Sequence, residues 1–436
     1  MNSRDFKNNS ISRLLFHAAD QWPDKPAITF SGATQSWLET RNRCHAAATL
    51  FHRLGVGAGD RVAYLGLNSN VCFESYYSPA LIGAIYVPIN HRLSIREMVE
   101  CIEDCTPKIL IVDENFIEQA GHLLKVCASL KGVLCAAQSD LMESWNSYEK
   151  GVQEVSSSGE YCDLLPSSND EVATFFYTGG TTGRSKGVML TNSNFICNTN
   201  WTIPLYRLQR HLAFVIVGPL FHLAAGSRVF SSTALGGHAV ILPRFDVTSL
   251  LDAIESYGVN SATLVPTMYQ MILDHPDFLS FNLVSLKMLA SGAAPLSAAL
   301  LRRILEAFPT TEFFQTYGMT EASPVLTSLD SKYHVLEGPN SGKLGSVGRP
   351  VEHVDLVIAD EEDRAVPPNT TGQILARGPN IMKGYWKLAD ATQEALEGGW
   401  YHTGDAGYLD EDGFLYLEGR VKDMIVSGGE NVYPIE

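Results

Sequence analysis

Short apolar runs alternate with helix-like stretches along most of this chain. Arg61-Val-Ala-Tyr-Leu-Gly-Leu67 reads as a strand, and Val71 to Ile82 has a helical texture. A turn at Gly83 leads to the strand-like Ala84-Ile-Tyr-Val-Pro88, and Lys108 to Val112 is another apolar run. This alternation predicts parallel sheets joined by crossover helices. Gly151 to Asp170 is rich in Ser, Gly and Asn and predicts an exposed connection. A second alternating block runs from Glu171 to about Leu326. Its strand candidates are Val172 to Tyr177, Leu212 to Val217, Ala239 to Leu242, Ala262 to Val265 and Lys287 to Leu289. From Gly345 the texture changes: Val354 to Ile358, Gly372 to Ala376 and Phe414 to Leu417 are separated by Asp, Gly and Pro turns. That predicts a small antiparallel unit, so the fold class is α/β with an added β portion.

Composition narrows the function classes. At 436 residues the chain can bury a large core and hold more than one subdomain. A net charge of -16 argues against a nucleic-acid or anionic-membrane partner. The first ten residues are polar and carry no leader signal, and no apolar run reaches membrane-spanning length. The eight cysteines are scattered; Cys101 and Cys105 share a helix face, but no second pair completes a metal site. Buried thiols in a reducing, cytoplasmic compartment are expected.

The densest chemistry lies in Thr178-Gly-Gly-Thr-Thr-Gly-Arg-Ser-Lys-Gly187, directly after the apolar run Val172 to Tyr177. Glycines let backbone N–H groups approach an anion, threonines add hydroxyl donors, and Arg184 and Lys186 add charge. That is the make-up of a phosphate-gripping loop. The common nucleotide-loop register is absent, because the residues five places after Gly179 and Gly180 are Arg184 and Ser185, where glycine is required.

The loop resembles the signature of adenylate-forming enzymes, the superfamily of acyl-CoA synthetases. It departs at Gly179, where the family has serine, and at Ser185, where it has proline. Both changes loosen the backbone. Gln315-Thr-Tyr-Gly-Met-Thr-Glu321, Tyr401-His-Thr-Gly-Asp405, and Gly419-Arg420-Val-Lys422-Asp423 with Ser427 to Glu436 resemble the further family signatures in order. The resemblance implies two αβ subdomains (about 1–170 and 171–340), a distorted β-barrel (341–421) and a hinge at 422–436. It implies a carboxylic acid, ATP, Mg²⁺ and coenzyme A as reactants and cofactors, and it leaves room for a homodimer. Family members continue into a C-terminal domain carrying a lysine needed for adenylation, so a chain ending at Glu436 is expected to be impaired in that step.

By family position, Thr178, Gly179, Gly180, Thr181, Thr182, Gly183, Arg184, Ser185 and Lys186 should hold the β- and γ-phosphates. Glu321 should bind Mg²⁺ with help from the Thr178 hydroxyl, and Thr320 belongs to the same catalytic turn. Tyr317 should stack on adenine, with Gly292, Ala293 and Ala294 beneath the ring and Gln315, Thr316, Gly318 and Met319 framing it. Asp405 should accept the ribose hydroxyls, and Arg420 should reach the ribose or phosphate. Lys422 occupies the hinge.

The acid-binding wall corresponds to Pro219-Leu-Phe-His-Leu-Ala-Ala-Gly226. Amino-acid-activating relatives have aspartate after the phenylalanine; here His222 stands there, and a buried substrate ammonium would lack its partner. His222 is expected beside the acyl carboxylate. Leu223, Gly226 and Gly292 are apolar or small, which suits an alkyl or aromatic tail. Arg228 is the nearby cation that could read a second carboxylate. A medium- or long-chain fatty acid is the expected substrate, with an aryl-acid ligase or a non-catalytic nucleotide-binding module as alternatives.

Overall fold

The computed structural model describes residues 10–136, 145–179, 185–423, 425–427 and 430–432. In chain order its first elements are α1 (Ile11–Gln21), β1 (Pro26–Phe30), β2 (Ala33–Ser36), α2 (Trp37–Arg53), β3 (Arg61–Leu65), α3 (Asn70–Ser75) and β4 (Ile85–Pro88). There follow α4 (Ile95–Cys105), β5 (Ile109–Val112), α5 (Ile117–Val126), β6 (Gly132–Cys135), β7 (Asn146–Ser147) and α6 (Tyr148–Ser158). Next come β8 (Val172–Thr178), β9 (Lys186–Thr191), α7 (Asn192–Leu205), β10 (Ala213–Ile216), α8 (Leu223–Ala234), β11 (His238–Ile241), β12 (Ser261–Leu264), β13 (Met288–Ser291) and β14 (Glu312–Gly318). Strands β15 (Val325–Leu329), β16 (Arg349–Pro350), β17 (Asp355–Ala359), β18 (Gly372–Arg377), β19 (Gly384–Tyr385), β20 (Tyr401–Leu409) and β21 (Leu415–Arg420) complete the sheets discussed below.

One sheet has the order β7-β6-β5-β3-β4-β8-β9-β19, and the other β2-β1-β11-β10-β12-β13-β14-β15-β16. Strands β3 to β8 pair in parallel, as do β1 with β11 and β10 through β14 in order of position. The expected αβ class with parallel sheets holds. The strands are shared out differently from a division at residue 170: β1 and β2 join the second sheet, while β8 and β9 close the first. The third unit is a four-stranded antiparallel sheet, β17-β18-β20-β21.

The largest core lies between the two main sheets. It packs Leu14, Leu15 and Ala18 of α1, Ala47 and Phe51 of α2 and Val229 and Phe230 of α8 against Val62, Ile111 and Leu190 on one side and Ile28, Ile216 and Ile241 on the other. Helices α4 and α5 cover the far face of the first sheet, and the helices Val247–Tyr257, Pro266–Leu273 and Ala298–Ala307 that of the second. Buried on both faces, strands such as β5 and β10 are continuously apolar, which is why they were legible as short runs.

Residues 151–158 are helical, against the expectation of a loop. Tyr148, Val152 and Val155 recur at helical spacing and are buried, Ser147 Oγ caps the first turn, and Gly159 ends the helix with φ +69°. The Ser- and Gly-rich composition hid that period. All eight cysteines are unpaired and none is fully exposed; Cys101 and Cys105 are both buried on α4, and desolvation pushes the Cys101 thiol up to about 12.

Candidate active site

Strands β8 and β9 form an antiparallel hairpin in which Thr178 pairs with Lys186. Gly180, Thr181, Thr182, Gly183 and Arg184 lie outside the described residues. The base of the loop is anchored: Tyr177 donates its hydroxyl to Asp104 Oδ2 at 2.6 Å, and Ser185 neighbours the Cys101 thiol. Thr178 and Lys186 are half-buried, and Gly179 is exposed.

Lys186 Nζ lies 4.7 Å from the centre of the Tyr385 ring. Tyr385 belongs to β19, which pairs with β9 through Tyr385–Val188 and Gly384–Met189. Its hydroxyl donates to Glu321 Oε1 at 3.1 Å. Glu321 sits in a 3-10 turn, Thr320–Ala322, just after β14, with only 9% of its surface exposed. Burial pushes the Glu321 carboxyl above its ordinary value; Tyr385, Arg420 and Lys186 offset this in part. Thr320 and Met319 are half-buried in the same turn.

The strand leading into this turn needs its glycine. A Cβ on Gly318 would lie 1.8 Å from the carbonyl oxygen of Pro324. Tyr317, one residue earlier, donates to Asp405 Oδ2 at 2.6 Å, and Arg420 Nε contacts Asp405 Oδ1 at 2.8 Å. Asp405 on β20 and Arg420 on β21 are cross-strand partners, so the antiparallel sheet delivers both to the end of β14. Burial raises the Asp405 carboxyl, against the lowering effects of Tyr317 and Arg420. A carboxylate has about four lone-pair sites, so these two contacts leave acceptor capacity for a ligand hydroxyl.

Beside β14, Ser291 ends β13 and Gly292 follows; Thr316 Oγ1 donates to the Ser291 carbonyl at 3.4 Å, and a Cβ on Gly292 would come within 2.8 Å of that hydroxyl. Ala293 holds φ +65° in the left-handed region, and Ala293 and Ala294 are exposed. Gln315 is buried, with Oε1 unpartnered. Lys422 is exposed in the turn Val421–Asp423, and most of the hinge signature lies outside the described side chains.

His222 forms a second group, at the N-terminus of α8 beyond the end of β10. Its ring lies 4.5 Å from Phe221, whose other edge meets His91 at 4.8 Å, with Arg92 6.0 Å from the Phe221 ring. His222 keeps an open surface, yet protein hems it in: desolvation first, then Arg92 and His91, push its imidazole below the ordinary value. Leu223 is buried. Gly226 does not face open space. A Cβ there would lie 2.1 Å from Tyr76 Oη.

Sequence reasoning missed Tyr385, His91 and Arg92. Nothing local separates them from ordinary core or loop residues; the pairing of β19 with β9, and of β4 with β3 and β8, brings them in. The ends of β10, β13 and β14 all lie on one edge of the second sheet, the carboxyl edge where parallel sheets place ligands.

The AMP-binding enzyme family matches residues 15–386. The chain belongs to that family. A feruloyl-CoA synthase of an Amycolatopsis species is 36% identical over 436 residues, covering 99% of this chain and 82% of the relative. An indoleacetate–CoA ligase of Aromatoleum aromaticum is 32% identical, covering 98% of this chain and 81% of the relative. Among solved structures, the o-succinylbenzoate CoA synthetase of Bacillus subtilis in complex with its acyl-adenylate intermediate superposes with a TM-score of 0.84 at 27% identity, over 99% of this chain and 82% of that one. This AMP-binding chain is a carboxylic acid–thiol ligase of the acyl-CoA synthetase type. No described helix is long and apolar enough to cross a membrane.

Proposed function

We propose that this enzyme activates an aryl or arylalkyl carboxylic acid with ATP and passes the acyl group to coenzyme A. The acid's carboxylate attacks the α-phosphorus, pyrophosphate leaves, and the acyl-adenylate is then opened by the thiol with release of AMP. Two anions must be brought together, so positioning and charge neutralisation are the protein's tasks. The observation that carries the reading is the convergence of Tyr317, Asp405 and Arg420 beside Lys186, Tyr385 and Glu321.

In this reading Asp405 takes the ribose hydroxyls and Tyr317, held by Asp405, flanks adenine above Gly292 to Ala294. Lys186 and the loop from Thr178 to Ser185 hold the β- and γ-phosphates. Glu321 suits Mg²⁺: it is a hard oxygen donor, buried and only partly compensated, and Mg²⁺ takes one or two carboxylates with phosphate and water. When bound, Mg²⁺ would neutralise charge on the phosphates; Glu321 and the Thr178 hydroxyl are its candidate protein ligands. His222, kept neutral, borders the acyl carboxylate, and Lys422 serves as the hinge.

A fatty acid is the second reading, supported by the apolar Leu223 and the small Gly292. The relatives named above favour ring-bearing acids. Calorimetric titration with hydrolysis-resistant acyl-sulfamoyl adenosines separates them. Tighter binding of cinnamoyl than of octanoyl or palmitoyl analogues is expected. A steady gain of about 0.8 kcal/mol per added methylene up to long chains would favour the fatty acid. Binding of none would overturn adenylation.

A further inference from the structure

Helix α8 carries a cation with no partner of opposite charge among the described residues. Arg228 lies six residues beyond His222, about 9 Å further along the helix at 1.5 Å per residue. It is 6% exposed, and its Nε and Nη1 have no hydrogen-bond partner. Among the described residues no carboxylate forms an ion pair with it; its guanidinium rests 4.9 Å from the centre of the Tyr206 ring.

Tyr206 locates it. That ring meets Phe314 of β14 edge-on at 5.3 Å. Phe314 is the cross-strand partner of Ala290, and Ala290 that of Thr263, so the three side chains share one face of the second sheet. Thr263 Oγ1 is itself buried and unpartnered. On the same face, two residues along β14, lies Thr316 against Gly292. A buried cation, joined to the sheet through Tyr206, and a buried hydroxyl, neither with a hydrogen-bond or ion-pair partner among the described residues, thus belong to the face of the second sheet that carries Thr316 beside Gly292. Leaving a charge buried and unpaired is unfavourable for folding alone.

We propose that Arg228 and Thr263 form the far wall of the acid pocket and read an acceptor oxygen at the distal end of the acid. The substrate then bears a ring hydroxyl or alkoxyl, or a second carboxylate, and is neither a plain alkyl nor an unsubstituted aryl acid. The span of about 9 Å from His222 suits a ring plus a short chain. This inference rests on the adenylation reading above.

The test uses sulfamoyl-adenosine analogues of cinnamate, 4-hydroxycinnamate and 4-carboxycinnamate, titrated into the wild-type chain, Arg228→Met and Thr263→Val. At least one oxygen-bearing analogue is expected to bind roughly tenfold or more tighter than cinnamoyl, the effect of one hydrogen bond to a charged group. Whether the hydroxyl or the carboxylate gains more tells the source of the oxygen. Arg228→Met should shrink that advantage to within about threefold and leave cinnamoyl affinity nearly unchanged. Because it removes an unpaired buried charge, it should also melt no lower than wild type. Thr263→Val should reduce the advantage partway. Equal binding of the three analogues to wild type, or an advantage retained in Arg228→Met, overturns the inference while adenylation stands; failure of all three to bind overturns adenylation itself.

Discussion

Glu321 is held where its charge is least comfortable. Desolvation raises its carboxyl, so the folded state binds a proton more readily than the unfolded one. Stability contributed by that proton is present at low pH and is lost as pH rises through the folded value. Glu321→Gln should therefore raise the melting temperature at pH 7, with the gain fading as pH falls below the ordinary glutamate value of about 4.3. The same variant should weaken Mg·ATP binding, read by calorimetry with and without Mg²⁺. Asp405→Ala removes the acceptor shared by Tyr317 and Arg420. It should cost roughly ten- to a hundredfold in nucleotide affinity, the worth of one or two charged hydrogen bonds. The preference among acyl tails should survive; loss of tail preference with intact nucleotide binding would move Asp405 out of the ribose role. These two residues were visible as motif members. Tyr385 was not, because its part comes from lying between Lys186 and Glu321, whereas its own neighbourhood reads as a glycine and aromatics.

At the level of elements, a strap from Pro379 to Tyr385 carries that tyrosine into place. Thr191 at the end of β9 caps α7, and Asn194 completes the capping box by accepting from the Thr191 N–H and donating its own N–H to the Thr191 hydroxyl. The Asn194 side-chain amide then donates to the carbonyls of Pro379 and Ile381 at 2.8 and 3.0 Å. Asn380, fully buried, donates to the carbonyls of Ala322 and Val325 at 2.8 and 3.1 Å, and Met382 N–H to that of Glu321 at 2.8 Å. Asn380→Ala should cost about 1–3 kcal/mol of stability by leaving those carbonyls unpaired. It should lower Mg·ATP affinity as well, without changing which acyl analogue binds best. Helix α8 makes a contrasting case. Gly226 reads in the sequence as pocket wall, but Tyr76 fills the space before it. Gly226→Ala should overpack the core by about 1–3 kcal/mol in denaturant titration and leave tail preference alone. A changed preference without lost stability would return Gly226 to the pocket.

Across the whole molecule, a partly buried ion cluster ties the early helices together. Arg43 of α2 contacts Glu74 of α3 at 2.6 Å and Glu149 of α6 at 2.7 Å, and Tyr148 donates to Glu74 at 2.9 Å. Glu74 is fully buried, so Arg43→Ala should destabilise by about 3–5 kcal/mol, measured by urea unfolding, because it strands that charge. Unfolding unchanged within about 0.5 kcal/mol would show the cluster to be solvated. By itself the sequence determined the α/β class, the strand runs and the motif residues Lys186, Tyr317, Glu321 and Asp405. Those signals are local: continuous apolar strands are buried on both faces, and motif loops must repeat particular residue types to do their chemistry. Only the tertiary structure decided that β1 and β2 cross to the second sheet, that Tyr148–Ser158 is a helix and that Gly226 packs on Tyr76. It alone placed Tyr385 against Lys186 and Glu321, and Arg228 on Tyr206 with no carboxylate paired to it among the described residues. Strand pairing and side-chain contact join positions far apart in the chain, and a sequence read along its length holds no record of which distant residue occupies the space beside it.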